Sequence, residues 1–260
     1  MDVPYKRRLE IRKLIVESKS VSVVKLAKIF NVSEITIRRD LKRLEENGFI
    51  DKVHGGAIVK GLTSEYNPVY LYDLKHFRPE KERIIKEAVK RINDQDAVII
   101  ESGTTCLEIT NHLENKKSLT IFTASVPIAY ELWKIALTRK DLEINICGGL
   151  IETKSNTLIG NQAVHFFKKI NADIAFIGAV AVSDEKMAIT TNSQMDVDVT
   201  RAIISNSKKN ILVVDSSKFS KNAHFTAISL KVFNEIISDN NLGEKVVKKL
   251  KKSGIKITLV

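Results

Sequence analysis

Four short stretches carry hydroxyls, glycines or charges where they can act on a ligand. Glu101-Ser102-Gly103-Thr104-Thr105 follows an apolar run and opens a helical pattern. Glycine there lets the backbone turn, and the hydroxyls join the free N–H groups of a positive helix end, which suits a phosphate or other anion. Thr123-Ala124-Ser125, Gly148-Gly149 and Asp215-Ser216-Ser217-Lys218 follow three further apolar runs. If they converge, Glu101, Ser102, Gly103, Thr104, Thr105, Thr123, Ser125, Gly148, Gly149, Asp215 and Lys218 line one crevice. Their chemistry fits a polyhydroxylated phosphate ester. Each piece alone is a weak signal, and Ser102-Gly103-Thr104-Thr105 by itself also reads as an ordinary capped helix start.

A second constellation lies between Ser33 and Arg43. On a helical wheel Ile37, Leu41 and Leu44 form one apolar stripe, while Arg39, Lys42 and Arg43 point away from it, with Thr36 and Arg38 on the flanks. Such a face can meet phosphates and base edges in a major groove. Ile35 projects outward near the N-terminal end, where it either touches a thymine methyl or packs on the preceding turn. For Arg38 and Arg39 the competing reading is a solvated face paired with Asp40 or Glu45.

These residues need elements to hold them. A helix is expected from about Lys6 to Ser18, with Leu9, Ile11, Leu14 and Ile15 near helical spacing. A second follows from Val23 to Phe30 behind Ser22, and a third behind Ser33 to about Asn47, with Gly48 ending it. Two short extended runs flank His54-Gly55-Gly56 and predict a hairpin. Helix, turn, capped helix and hairpin make a winged helix-turn-helix in outline. Residues 61–79 show no sustained period and contain Tyr66, Tyr70 and Tyr72, so they read as a linker. From Glu80 onward, seven apolar runs alternate with helical ones: Ala97–Ile100, Leu119–Phe122, Leu142–Cys147, Ile174–Ile177, Ile211–Val214, Glu235–Ile237 and Ile255–Val260. Helices are expected near 104–113, 126–136, 160–169, 196–206 and 243–252. That alternation predicts an α/β domain with a mostly parallel sheet covered on both faces. The organisation is therefore 1–60 for the small domain, 61–79 for the linker and 80–260 for the large one.

The chain has 260 residues and a net charge of +11. Residues 1–60 carry +6 of this, as expected of a polyanion-binding head. With 43% hydrophobic and 28% charged residues, disorder is excluded. No apolar run approaches the roughly 18 residues of a membrane span, and the first residues lack a secretory core. Cys106 and Cys147 are too few for a disulfide framework and read as thiols of a reducing, cytoplasmic compartment. Cys106 is either a reactive thiol at a helix start or a small buried residue. The histidines at 54, 76, 112, 165 and 224 have no zinc-site spacing, so no metal is expected. Nucleotide-binding and hydrolase motifs are absent, so no cofactor is expected either. Ser205 and Lys208 match a Ser-x-x-Lys pattern without any partner motif.

The run Ser33-Glu34-Ile35-Thr36-Ile37-Arg38-Arg39-Asp40-Leu41-Lys42-Arg43-Leu44-Glu45, followed by Gly48 and His54-Gly55-Gly56-Ala57, resembles the signature of DeoR-family transcriptional regulators. The resemblance implies that Thr36, Arg38 and Arg39 lie on a DNA-facing helix, with the His54 wing beside the backbone. The four crevice stretches and Asp173–Gly178 resemble the family's effector domain, whose fold is sugar-phosphate isomerase- and CoA-transferase-like. Three departures stand out: Glu101 where the family carries Asp, Ala124 where it carries Asn, and Thr200 where it carries Lys.

The expectation is a regulator, most simply a repressor of carbohydrate metabolism genes. It binds double-stranded operator DNA as a homodimer or homotetramer and is released by a phosphorylated sugar, with no catalytic residue and no membrane partner. The alternative is a sugar-phosphate isomerase-like enzyme with an accessory DNA-binding head, using Glu101, Asp215 and Lys218. An RNA-binding module is disfavoured, because the head lacks exposed stacking aromatics.

Overall fold

A computed structural model describes residues 3–18, 20–46, 49–53, 55–59, 77–153 and 155–260. His54, Gly48 and the linker tyrosines Tyr66, Tyr70 and Tyr72 lie outside the described residues. The chain divides into two compact units, Met1–Tyr66 and Asn67–Val260.

The first unit contains α1 (Val3–Ser18), β1 (Ser20–Ser22), α2 (Val23–Phe30), α3 (Glu34–Glu46), β2 (Ile50–Val53) and β3 (Gly56–Val59). Ser22 caps α2 by accepting from the Lys25 N–H. Asn31 ends α2 in the left-handed region at φ +48°, its N–H returning to the carbonyls of Ala27 and Lys28. The expected hairpin is present, and β1 joins it in an antiparallel sheet of order β1-β3-β2. In the sequence Ser20–Ser22 is visible only as a break, because three residues carry too little pattern to declare a strand. Ile11, Ile15, Leu26, Ile37, Leu41, Leu44, Ile50 and Ala57 form the core. Leu9, expected with them, is exposed.

The second unit opens with α4 (Arg78–Ala88), so Pro79 lies in a first helical turn instead of a linker, where its missing N–H costs nothing. Next come β4 (Ala97–Ile100), α5 (Thr104–Leu107), β5 (Thr120–Thr123), α6 (Val126–Ala136) and β6 (Glu143–Ile146). Then follow β7 (Leu150–Glu152), β8 (Thr157–Ile159), α7 (Asn161–Phe167), β9 (Ala172–Ile177), β10 (Ala181–Ser183) and β11 (Ala188–Thr191). The chain finishes with α8 (Gln194–Ser205), β12 (Ser207–Val213), β13 (Phe225–Ser229), β14 (Glu235–Ser238), α9 (Glu244–Lys252) and β15 (Ile257–Leu259).

Each of the seven predicted runs supplies one strand of a seven-stranded sheet, order β15-β14-β12-β9-β4-β5-β6, and every neighbouring pair is parallel. Successive side chains alternate between two cores. Val98, Ile100, Phe176 and Val213 meet α4 and α6 on one face. Ile99, Ala175, Ile177 and Leu212 meet α7, α8 and α9 on the other. Burial on both faces is why the inner strands β4, β9, β12 and β14 read as apolar runs, while the edge strands β6 and β15 are half-buried or exposed. The α/β class with a mostly parallel sheet is therefore observed. Two additions were not anticipated: the hairpin β7-β8 and a small antiparallel sheet of order β10-β11-β13.

Strand order reverses between β4 and β9. Chain order runs outward through β5 and β6 on one side and through β12, β14 and β15 on the other. In open parallel sheets ligands sit beyond the carboxyl ends at such a point. Among the described residues, no helix is long and apolar enough to cross a membrane.

Candidate nucleic-acid interface and effector site

In the first unit, α3 turns its apolar stripe inward and its cations outward. Ile37, Leu41 and Leu44 are buried, whereas Arg38, Arg39, Lys42 and Arg43 are exposed. Ile35 is 72% exposed, so the packed reading of this side chain is overturned. Ser33 accepts from the Thr36 N–H at 3.2 Å, and the two hydroxyls lie 2.9 Å apart, so both serve the helix start. Gly55 is exposed, and its carbonyl accepts from the Val23 N–H, tying the wing to α2.

The ion pairs correct one expectation. Asp40 does not pair with Arg38 or Arg39. It is buried beneath α1, where Arg7 reaches it at 2.6 Å and Arg8 at 3.4 Å. Glu45 accepts from Lys52 on β2. Arg38 meets Glu34 one turn earlier, an exposed pair at 3.2 Å that a stronger anion can replace. Asp40 therefore fastens α3 to α1 and leaves the outer cations facing water.

In the second unit, Glu101 lies at the switch point. It is 8% exposed, and its carboxylate accepts from the Gly178 N–H at 3.2 Å and from the Thr200 hydroxyl. Two of the three residues noted above as departures, Glu101 and Thr200, thus touch each other. Burial, reinforced by the Asp196 carboxylate, outweighs the two hydrogen bonds and pushes the Glu101 carboxyl up to about 7.

Ser102, Gly103 and Thr104 are half-buried and Thr105 is buried. Gly103 sits at φ +111° with nothing within 4 Å of where a Cβ would stand, so the loop needs glycine for its backbone and leaves room above it. Lys81 of α4 comes from outside every predicted stretch. Only 2% of it is exposed, and its ammonium donates to Thr104 Oγ1 at 3.0 Å. Its neighbours Glu80, Glu82 and Arg83 make it look like part of a solvated charged helix; Ile84 and Ile85 beside it were the one signal that this turn faces inward.

The other predicted residues divide. Thr123 is fully buried and accepts from the Ser125 N–H at 3.0 Å, while Ser125 caps α6 through the Ile128 N–H. Both hydroxyls are engaged by backbone. Gly149, at φ +142°, lies so close to Ile159 that a Cβ would come within 2.5 Å of its carbonyl oxygen, so it serves the β7-β8 hairpin. Gly148 has open space. Asp215 is fully buried; its Oδ1 accepts from the Ser217 N–H and hydroxyl, and its Oδ2 has no hydrogen-bond partner. Lys218 is half-buried, and its N–H bonds back to the Asp215 carbonyl. Cys106 is fully buried, and burial raises its thiol well above the usual range, so it is a packing residue and not a reactive one. Among the described residues, no group of His, Cys, Asp or Glu is arranged to hold a metal ion.

Comparison with known proteins places both units. Residues 7–61 match the DeoR-like helix-turn-helix domain, and residues 77–240 match the DeoR C terminal sensor domain. An uncharacterized HTH-type transcriptional regulator of Haemophilus influenzae is 33% identical over 99% of this chain and 98% of its own length. A lactose phosphotransferase system repressor of Staphylococcus epidermidis is 29% identical over 93% of this chain and 94% of its own. Ribose 5-phosphate isomerase A of Methanocaldococcus jannaschii aligns with 55% of each chain at 16% identity and a TM-score of 0.39, a likeness too slight to bear on activity or ligand. The chain belongs to the DeoR family of transcriptional regulators.

Proposed function

We propose that this regulator represses its target genes by inserting α3 into the major groove of operator DNA. A phosphorylated sugar held at the carboxyl ends of the large sheet releases it. The observation that carries the DNA reading is the outward face of α3: four exposed cations and an exposed Ile35, opposite a buried apolar stripe. The names of relatives agree with repression of sugar genes: a lactose phosphotransferase system repressor, and a putative aga operon transcriptional repressor of Escherichia coli O157:H7. Arg38 and Arg39 read or brace bases, Lys42 and Arg43 meet phosphates, and the wing, with His54 and Gly55, lies along the backbone. Binding falls steeply with salt, because each neutralised phosphate releases counterions.

The effector reading is supported by the Lys81–Thr104 contact beside Gly103 and Glu101 at the end of β4, with Asp215 and Lys218 following β12, two strands away at the same end of the sheet. Lys81 and Lys218 supply positive charge for the phosphate, while Asp215 Oδ2 accepts from a sugar hydroxyl. Release needs no covalent chemistry. An effector that prefers the weakly binding conformation lowers DNA affinity by its differential affinity for the two states. The protein works in the cytoplasm as a homodimer or homotetramer, so that paired heads meet half-sites about one helical turn apart.

The deciding experiment is operator binding by the full chain, titrated against a panel of sugar phosphates. Arg38→Ala and Arg39→Ala are each expected to weaken operator binding by about 1–3 kcal/mol; unchanged binding in the double variant removes α3 as the reader. Glu101, with its carboxyl near neutrality, gives the isomerase reading one specific foothold. Turnover of a sugar phosphate that disappears in Lys218→Ala would establish that reading instead.

A further inference from the structure

One helix of the second unit is apolar on both sides. Ile128, Leu132 and Ile135 of α6 pack into the core beneath the sheet. Val126, Tyr130, Trp133 and Leu137 fall on the opposite side, at spacings of four, three and four, and all are exposed: 56% for Tyr130, 53% for Trp133 and 65% for Leu137. Glu131 and Lys134 occupy one flank between these two stripes, so the outer stripe is a second apolar face and not the polar face that a surface helix turns to water. The patch extends past the helix. β6 is the edge strand of the large sheet, and Ile146 at its carboxyl end shares a sheet face with Ile144, which packs against the α6 core. Ile146 is 46% exposed, and Leu150, four residues on, is more so.

We propose that this face is where a second copy of the chain docks, with α6 lying antiparallel on its symmetry mate. Three observations favour an identical partner. The first is area. Half-exposed side chains of this size present on the order of 500 Å² of apolar surface, enough for the centre of an interface of about 800 Å² per partner. The second is charge. Each chain carries +11, so two copies approach most easily through a face with no excess charge, and α6 is neutral, its Glu131 and Lys134 paired at 2.6 Å. The third is symmetry. The stripe spans twelve residues, about 16 Å of helix, and a two-fold axis through its middle lays Tyr130 and Trp133 on the same residues of the mate. Tyr130 and Trp133 already touch, with ring centroids 5.8 Å apart, so little further ordering is needed on association.

Trp133 is the chain's single tryptophan, so its fluorescence reports on this face alone. The experiment uses the full chain without DNA or sugar phosphate, so failure leaves the operator and effector readings standing. Sedimentation velocity and acrylamide quenching are followed across a dilution series. Wild type is expected to sediment as a dimer or tetramer at micromolar concentration with Trp133 shielded, and quenching should rise as the assembly dissociates. Tyr130→Glu with Leu137→Glu is expected to weaken association by roughly a hundredfold and to leave Trp133 fully quenchable at every concentration. A monomeric wild type overturns the proposal. So does an oligomer whose Trp133 quenches equally at all dilutions, or a folded double variant that assembles like wild type. Should the double variant not fold, the wild-type quenching series alone decides.

Discussion

Two buried glutamates of the second unit, one at each end of the large sheet, meet opposite surroundings: Glu235 at the amino end is closed into ion pairs, and Glu101 at the carboxyl end is not. Glu235 opens β14 and is buried, yet Arg91 reaches it at 2.8 Å, Lys256 at 3.3 Å, and the Thr258 hydroxyl also donates to it. Burial would raise this carboxyl, but these donors overcome it and hold it at about 2. Asp173 opens β9 and accepts from the Ala97 N–H at 2.9 Å and from Lys208 at 2.7 Å. At the other rim Glu101, just as hidden, has two neutral donors and a neighbouring acid, and stands near 7. Asp215 Oδ2 and Ser238 Oγ, at the ends of adjacent strands on that rim, are buried without any hydrogen bond. The rims are not uniform, since Asp239 at the carboxyl end accepts three hydrogen bonds and Asn210 Oδ1 in the amino half of β12 has none. Yet Glu101, whose donors are neutral, and Asp215, with one oxygen unpartnered, both stand at the carboxyl end. A buried polar group left without a partner costs free energy, and such groups gather at functional sites.

The sharpest break in this contrast comes from opening the closed rim. Arg91→Ala leaves Glu235 buried without its main partner and should cost about 3–5 kcal/mol in urea unfolding. Replacing both Arg91 and Glu235 by Met should recover most of that loss, because the penalty belongs to the orphaned charge. A double variant as unstable as the single would show that packing around Arg91, and not the pair, is what matters.

Next comes pH, where the two rims must act with opposite sign. Between about 4.5 and about 7, native Glu101 holds a proton that the unfolded chain has released, so its contribution makes stability fall as pH rises. Glu235 contributes stability above about 4.5 that is lost as pH falls toward 2. Glu101→Gln should therefore flatten the stability profile between pH 5 and 8 and gain on the order of 2–3 kcal/mol at pH 8. The amide can still accept from the Gly178 N–H. A wild-type profile with no slope across that window would show that Glu101 is ionised throughout.

The open rim should respond to ligand where the closed rim does not. Gly103→Val, Lys81→Met and Lys218→Ala are each expected to bind operator DNA normally. Each should weaken release by the cognate sugar phosphate, by about 1.5–3 kcal/mol for the two lysines, or roughly 10- to 150-fold in effector concentration. If Lys81→Met releases at the wild-type concentration, its ammonium only braces Thr104. If all three do, the effector binds elsewhere.

How far the sequence exposed this contrast depends on which interactions are local. The inner strands were legible because a strand buried on both faces is a nearly unbroken apolar run. Their alternation with helices implies parallel pairing, and that alone locates the carboxyl-end loops. Ser22 and Ser33 were legible as helix caps, since capping is settled within three residues; Ser125, read as a ligand hydroxyl, is a cap as well. β7, β8 and β10 were not legible, at three residues each. Lys81 and Asp40 were hidden for another reason. Both are charged residues on helices whose neighbours are charged, and their burial is set by elements 23 and 33 residues away. Thr123 read as a ligand hydroxyl because its type and place fit; that its oxygen faces the Ser125 N–H is a matter of rotamer, which sequence does not carry.

The smallest expected effect sharpens what the amino rim owes to burial. Lys208 and Asp173 form as short a pair, at 2.7 Å, as Arg91 and Glu235, yet the lysine side chain is 76% exposed. Exposed pairs exchange one set of good water contacts for another and order a long side chain besides. Lys208→Ala should cost no more than about 0.5–1 kcal/mol. Asp173 keeps its bond to the Ala97 N–H, which joins the starts of β9 and β4, and Asp173→Ala should therefore cost more than Lys208→Ala. Measured together by thermal unfolding, the order Arg91→Ala, then Asp173→Ala, then Lys208→Ala is expected. The reverse order for the last two would mean that the surface charge, and not the backbone bond it sits beside, holds this corner of the sheet.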